Sequence, residues 1–168
     1  MDTKLQTAIS DTKRQMLRHV VATLAYRGSK ALRGAPAGFA GFCAAEGSRS
    51  PVQILAHVGD LVDWALSLAQ GRQAWHESAP RPWEEEVQRW YSALGALDAY
   101  LGSGSSLKAP EEKLFQGPLA DALTHIGQIA MLRRLAGAPM RGENYLRAEI
   151  AVGRVGEDQA AAVREFDQ

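Results

Sequence analysis

Apolar residues recur along this chain at alternating spacings of three and four, the signature of amphipathic helices. The cleanest stripe is Trp83, Val87, Trp90, Leu94, Leu97 and Leu101, which predicts a helix over about residues 82–101. A first helix over about residues 2–27 carries Leu5, Ile9, Met16, Val20 and Thr23 on its inner face, with Leu17, Val21 and Leu24 beside them. A second runs over about residues 50–70, and a fourth over about 118–136. Gly28, Gly71, Gly102 and Gly137 each follow one of these stretches, where a left-handed residue commonly ends a helix. The second helix has the clearest start: Ser50 as N-cap, Pro51 at the first helical position and Gln53 completing a capping box. Glu84, Glu85 and Glu86 sit at the positive end of the third and read as a solvated face.

Four such helices predict an all-α, single-domain four-helix bundle spanning residues 1–168. The order expected is up-and-down, unless the long connection over residues 28–49 crosses the bundle between helices 1 and 2. That connection is rich in Gly and Ala, contains Pro36, and has Phe39 and Phe42 to pin it to the core. Beyond Pro139 the pattern weakens into an irregular tail over residues 138–168. Arg141–Tyr145 reads as a turn, and Asp158–Phe166 as a final helical turn or two.

On a wheel of about 100° per residue, Gln53, Asp60, Asp63, Ser67 and Gln70 form the wet side of the second helix, and Leu55, Val58, Val62, Ala65 and Ala69 the opposite side. His57 falls at the edge and points partly inward. On the fourth helix, Asp121, His125, Gln128, Leu132 and Leu135 share one stripe. Its polar residues give way to leucines, as in a polar pocket closed below by apolar packing. Asp121 and His125 are four apart and lie one above the other. With His57 brought across from the second helix, they form two imidazoles and a carboxylate, a donor set suited to a divalent transition metal with a position left open. A buried carboxylate needs a partner, and an Asp121–His125 ion pair with water meets that need as well as a metal does. Both readings stay open at this point, as does an exposed arrangement with no special role.

Composition narrows the function classes. Hydrophobic residues make up 46% of the 168 residues, enough for a packed core, and 19 basic residues balance 19 acidic ones. There is no basic footprint for nucleic acid. The N-terminal residues show no apolar signal core, and no run approaches a membrane span by residue type, so a cytoplasmic protein is expected. Cys43, the single cysteine, excludes an internal disulfide and reads as a small buried residue. His19 reads as partly buried on the first helix and His76 as solvent-facing. Trp64, Trp83, Trp90 and Tyr91 read as packing.

Ser50-Pro51-Val52-Gln53-Ile54-Leu55-Ala56-His57, followed by Asp63-Trp64-Ala65-Leu66, resembles the second-helix signature of the DinB-like (YfiT-related) family of four-helix-bundle metalloproteins. His125-Ile126-Gly127-Gln128 resembles the end of that family's fourth-helix motif, commonly His-x-x-x-His-x-Gly-Gln. The resemblance covers the four helices. It implies a metal held by one histidine of helix 2 (His57) and two of helix 4, of which His125 is the second and Asp121 replaces the first. It further implies zinc, nickel, iron or manganese as cofactor, a homodimer, and a small-molecule substrate handled by a hydrolase or by a transferase that uses a low-molecular-weight thiol. Gln128 would orient a ligand or the substrate, and Glu143, Asn144 and Tyr145 would fold over the pocket mouth as binding residues, unless that trio is an ordinary turn. The alternative is a metal-free helical module that binds a small molecule or pairs with a second copy, without catalysis.

Overall fold

The computed structural model describes residues 3–166, with side chains from residue 11 onward. The expected helix start at Asp2, and Leu5 and Ile9 as inner-stripe side chains, lie outside what is described. Four long helical rods account for most of the described chain: α1 (Thr3–Leu32), α2 (Pro51–Ala69), α3 (Trp83–Gly102), and a composite rod in which a short α4 (Glu111–Leu114) passes through a wide π turn (Phe115–Leu119) into α5 (Ala120–Leu135). Among the described residues there is no strand, only an isolated antiparallel bridge between Glu143 and Glu165.

The ends of α2 follow the sequence. Ser50 N–H donates to Gln53 Oε1 at 2.8 Å in the capping box, and Gly71 past the other end takes φ 81°. Gly137 ends α5 with φ 74°. Three boundaries differ. Gly102 does not follow α3 but is its last residue, and the left-handed glycine beyond it is Gly104, φ 76°. Gly28 does not cap α1; the helix continues to Leu32, and the left-handed residue is Gly34, φ 62°. Gly28 is instead where the Trp90 indole lies against the helix. A Cβ built on it would stand 2.2 Å from Trp90 Cη2. At the fourth rod, Pro118 is not the first helical residue but lies inside the π turn. Proline has no N–H to give and clashes with the carbonyl four residues back in a regular helix; a wider turn accommodates it.

Cross-links between the rods fix their directions. Arg18 holds Asp98 through two 2.9 Å hydrogen bonds and Ser29 meets Tyr91 at 2.8 Å, so α1 and α3 are antiparallel. Arg133 Nη1 on α5 reaches Ala31 O at 3.1 Å and Lys13 pairs with Glu112, so the fourth rod runs parallel to α1. Arg89 Nη1 donates to Ala56 O and Tyr100 Oη to Ala69 O, each at 3.3 Å, so α2 and α3 are parallel neighbours. The order is therefore up-down-down-up, not up-and-down. α1 and α2 stand on a diagonal, each packing against α3 and α5. The long connection between helices 1 and 2 thus crosses the end of the bundle, the alternative left open above, and a second one between α2 and α3 returns the length of a rod before α3 can start.

That return segment is tied down by charge. Asp60, expected on the wet side of α2, is 1% exposed. It accepts from Ser78 N–H at 2.8 Å, from Ser78 Oγ at 2.7 Å and from the Arg89 guanidinium. Arg89 also bonds Asp63 at 3.0 Å and approaches Glu86 Oε2 at 3.4 Å. Glu86, expected in solvent, is fully buried and accepts from Arg81 N–H at 2.9 Å. Burial alone would push the Asp60 carboxyl up; the Ser78 and Arg89 hydrogen bonds outweigh it and hold the group below its ordinary value. Leu55, Val58, Val62, Ala65 and Ala69 are buried as expected. Ser67 is buried too, because the return segment covers the face that the wheel left to water. By length and composition α2 is apolar enough to cross a bilayer (19 residues), which the residue types alone had not suggested, but 61% of that stretch is buried inside the protein.

The 3-10 turn Phe39–Gly41 buries Phe39 against Trp83, ring centroids 5.7 Å apart, so the α1–α2 connection is pinned as expected. Arg133 is buried and donates to Ala31, Arg33, Gly34 and Ala138 carbonyls, closing the C-terminal end of α1. The tail departs from the helical turns expected over 158–166. Residues 142–144 and 164–166 pair side by side through Asn144 N–H to Arg164 O (3.0 Å) and Phe166 N–H to Gly142 O (2.9 Å). Cys43 and His19 are exposed, not buried.

Gly28→Ala should lower stability although alanine favours helix by about 1 kcal/mol, because displacing a fully buried indole costs about 1–3 kcal/mol. Denaturant titration checks the sign, and pairing the change with Trp90→Phe should recover part of the loss. Asp60→Asn should cost about 3 kcal/mol at neutral pH by leaving Arg89 under-compensated. Because the folded Asp60 titrates below its ordinary 3.8, its contribution is complete above that value and disappears as pH falls through the folded one. Acid-unfolding curves of Asp60→Asn should lack that component.

Candidate metal centre

His57 stands on the second turn of α2, half-buried, and faces the antiparallel α5. Across the seam, the His125 ring meets it edge to face, centroids 4.8 Å apart and planes at 89°. One turn earlier on α5, Asp121 Oδ1 lies 3.4 Å from His125 Nε2. One donor atom from each of the three residues lies within 4.8 Å of the other two. The sequence-predicted trio thus meets across two helices.

The wide turn at Phe115–Leu119 supplies the aim. Its extra residue per turn rotates everything that follows about the helix axis, and Asp121 is the second residue after it. The stripe itself differs from the expected one. Leu132 is buried, but Leu135 is exposed, and the buried face of α5 is Ala122, Ile126, Ile129 and Leu132. The trio therefore sits on the rim of the α2–α5 seam, not over a leucine floor; the Asp121 side chain keeps 51% of its surface open to solvent. An open carboxylate has water as its partner, so burial does not force a cation here. The donor chemistry is compatible with one. Tetrahedral sites with bonds of about 2.0–2.1 Å place neighbouring donors about 3.4 Å apart, so the Asp121–His125 separation suits a shared ion as well as a direct ion pair.

Gln128, one turn on from His125, stands behind its ring. Its Oε1 lies 2.8 Å from His125 Nδ1. An amide oxygen accepting from Nδ1–H would leave the Nε2 of a neutral ring facing Asp121, the tautomer a metal-ligating histidine needs. Burial pushes the His57 imidazole below the usual histidine range, and positive charge from His125 and Arg49 acts in the same direction, against Asp121 and Asp60. A neutral imidazole binds a cation without first losing a proton. These residues fit a divalent ion.

No family model, curated protein or solved structure matches the chain. The reading of the site rests on its own geometry.

Glu143 and Tyr145 are elsewhere. Glu143 is buried against α1, accepting from Tyr26 Oη at 2.7 Å and Lys30 Nζ at 2.8 Å. Tyr145 stacks edge-on to Tyr26 and beneath the Arg27 guanidinium. They anchor the tail on the far diagonal of the bundle and do not cover the mouth of the histidine seam. Two residues that the sequence reading left out do belong there. Trp75, on the return segment, lies edge-on to both His57 (5.7 Å) and Trp64 (5.6 Å). Arg49 lines the pockets on both sides of the seam. Neither sits in a periodic stretch; a lone tryptophan in a Gly- and Pro-flanked connection was the available hint for Trp75.

A second cluster, Asp60, Asp63 and His76, also brings three donors together. His76 is half-exposed, 3.1 Å from Asp60 and 3.7 Å from Asp63. Here the Arg89 guanidinium already stands among the carboxylates, so the charge that a metal would supply is in place.

Removing the tautomer lock tests the first cluster. Gln128→Leu should weaken zinc or nickel binding about 10–100-fold, with little change in unfolding free energy because Gln128 is exposed. Competition against a chromogenic chelator reads the affinity.

Proposed function

We propose that this chain is a DinB-like helical metalloprotein whose His57, Asp121 and His125 hold one divalent transition metal, and that the centre serves a hydrolase or a transferase using a low-molecular-weight thiol. The observation that carries the reading is the convergence of the three donors with Gln128 behind His125. The motif resemblance, carried by the same His57, His125 and Gln128, is in keeping with it, and the carboxylate at position 121 would make this a 2-His-1-carboxylate variant of that family's site. Bound there, the ion would supply Lewis acidity that makes a thiol or water nucleophilic near neutral pH. The chain's own part is to hold His57 neutral and fix the His125 tautomer. The single-sided rim arrangement leaves the site open to a small substrate in the cytoplasm.

The alternative, a metal-free module that binds a small molecule or pairs with a second copy, also has an observation in its favour. Met16 and Phe115 are large, apolar and exposed (62% and 46%), and they flank one groove between α1 and the fourth rod.

Elemental analysis of purified protein, before and after chelation and reloading, separates the two. The metal reading expects close to one equivalent of zinc, nickel, iron or manganese, lost in His57→Ala without a large fall in the stability of the metal-free form. No retention of any of these ions, or equal retention by His57→Ala, overturns it. Stoichiometric metal without conjugation of an electrophile by glutathione, bacillithiol or mycothiol removes the transferase and leaves the hydrolase.

A further inference from the structure

The two sides of the histidine seam are unlike. On the His57 side lies a small polar pocket of about 150 Å3, with Gln53, Glu77 and Ser78 in its wall. On the His125 side lies a larger trough of about 450 Å3 whose body is Ile54, Met131 and Leu132. Its polar end holds His125 and Gln128. Arg49 lines both.

Arg49 precedes the N-cap of α2, so the helix start holds its backbone in place while its side chain is exposed. Among the described residues it forms no hydrogen bond or ion pair, and its charge disfavours a positive charge on His57. Arg89 is committed to Asp60 and Asp63, and Arg133 to main-chain carbonyls. Met131 is 57% exposed at the trough although it is large and apolar. A trough of a few hundred Å3 with an apolar body and a few convergent polar groups is how small-ligand sites are built. A free guanidinium at one end asks for a single anionic group, and its planar fork matches a carboxylate.

We infer that the trough beside His125 binds a small amphipathic monoanion, a carboxylic acid with an unbranched or flat apolar body. The carboxylate pairs with Arg49 and the apolar part lies along Ile54, Met131 and Leu132. This names the substrate class of the proposed centre and rests on that reading for its catalytic meaning, but the binding itself needs no metal. In such a pose the acid group stands at the seam, next to His57 and His125, and the apolar body points away along α5.

The test uses octanoate, acetate and octylamine as probes on the full chain, with and without zinc. The readouts are isothermal titration calorimetry and the ring proton shifts of His57 and His125. Octanoate should bind metal-free protein and move the His125 resonances. Arg49→Gln should weaken it about tenfold or more, the size of one hydrogen-bonded charge contact. Met131→Glu should weaken octanoate strongly, and neither acetate nor octylamine should bind comparably. Arg49 and Met131 are exposed, so both variants should fold, and circular dichroism melts check that. Equal octanoate affinity in Arg49→Gln overturns the inference, as does octylamine binding as well as octanoate, or no octanoate binding in the millimolar range. If octanoate binds through Arg49 while no metal is ever retained, the anion site stands and the metal reading falls. If metal is retained and octanoate ignores Arg49, the reverse holds.

Discussion

One buried guanidinium sets the terms for the rest of this structure. Arg89 leaves α3 and meets Asp60 and Asp63 of α2, with Glu86 of its own helix behind it. Parallel neighbours cannot be joined by a short loop, so the chain between α2 and α3 must travel back along the bundle. Such a segment has no ladder of its own to satisfy its polar groups. Here Ser78 and Arg81 donate into the same carboxylates that hold Arg89. The ion cluster therefore does two jobs. It compensates a charge that would be expensive to bury alone, and it welds a connection of irregular backbone onto α2. Because that connection carries Trp75 against His57, the electrostatic anchor also shapes the wall of the histidine seam.

The seam owes its character to where it lies. Ile126 and Ile129 face the core while His125, beside them on the same helix, reaches the rim. Core packing positions the helices to a fraction of an ångström; the rim keeps the donors accessible. A set placed deeper would have to offset the desolvation of Asp121 with a permanently bound partner. A set placed further out would lose the edge-to-face contact that orients the two imidazoles. The half-buried position explains how His57 is held neutral while Asp121 remains solvated.

Much of this was legible in the chain, and what was missed has a physical pattern. Helix count, the start of α2 and the core stripe of α3 follow from local periodicity and cap chemistry, and these are properties of a few adjacent residues. The Asp121–His125 spacing and the inward lean of His57 are also local, so the trio could be named in advance. Helix direction is not local. It depends on which charges bury together, and Asp60 and Glu86 look like surface residues until Arg89 is placed between them. Gly28 suggests a helix stop because glycine more often serves that purpose; only the position of Trp90 shows that it serves close approach. Glu143 and Tyr145 carried plausible polar chemistry, but a tail without periodicity gives no direction, and Tyr26 and Lys30 claimed it for the opposite side.

The wide turn at Phe115–Leu119 has a further meaning. A π turn contains one residue more than the regular helix it interrupts, and each residue of a helix advances the azimuth by about 100°. Deleting a single residue between Phe115 and Leu119 would restore a regular rod and swing Asp121 and His125 away from α2, with all three donors still present in the sequence. Proline at position 118 guards against that repair, since an unbroken helix would tolerate it poorly. The chemistry of this seam is thus encoded partly as a phase, an angular offset written by chain length, and homologous chains that keep the donors but lose the offset would carry the letters of the site without its geometry.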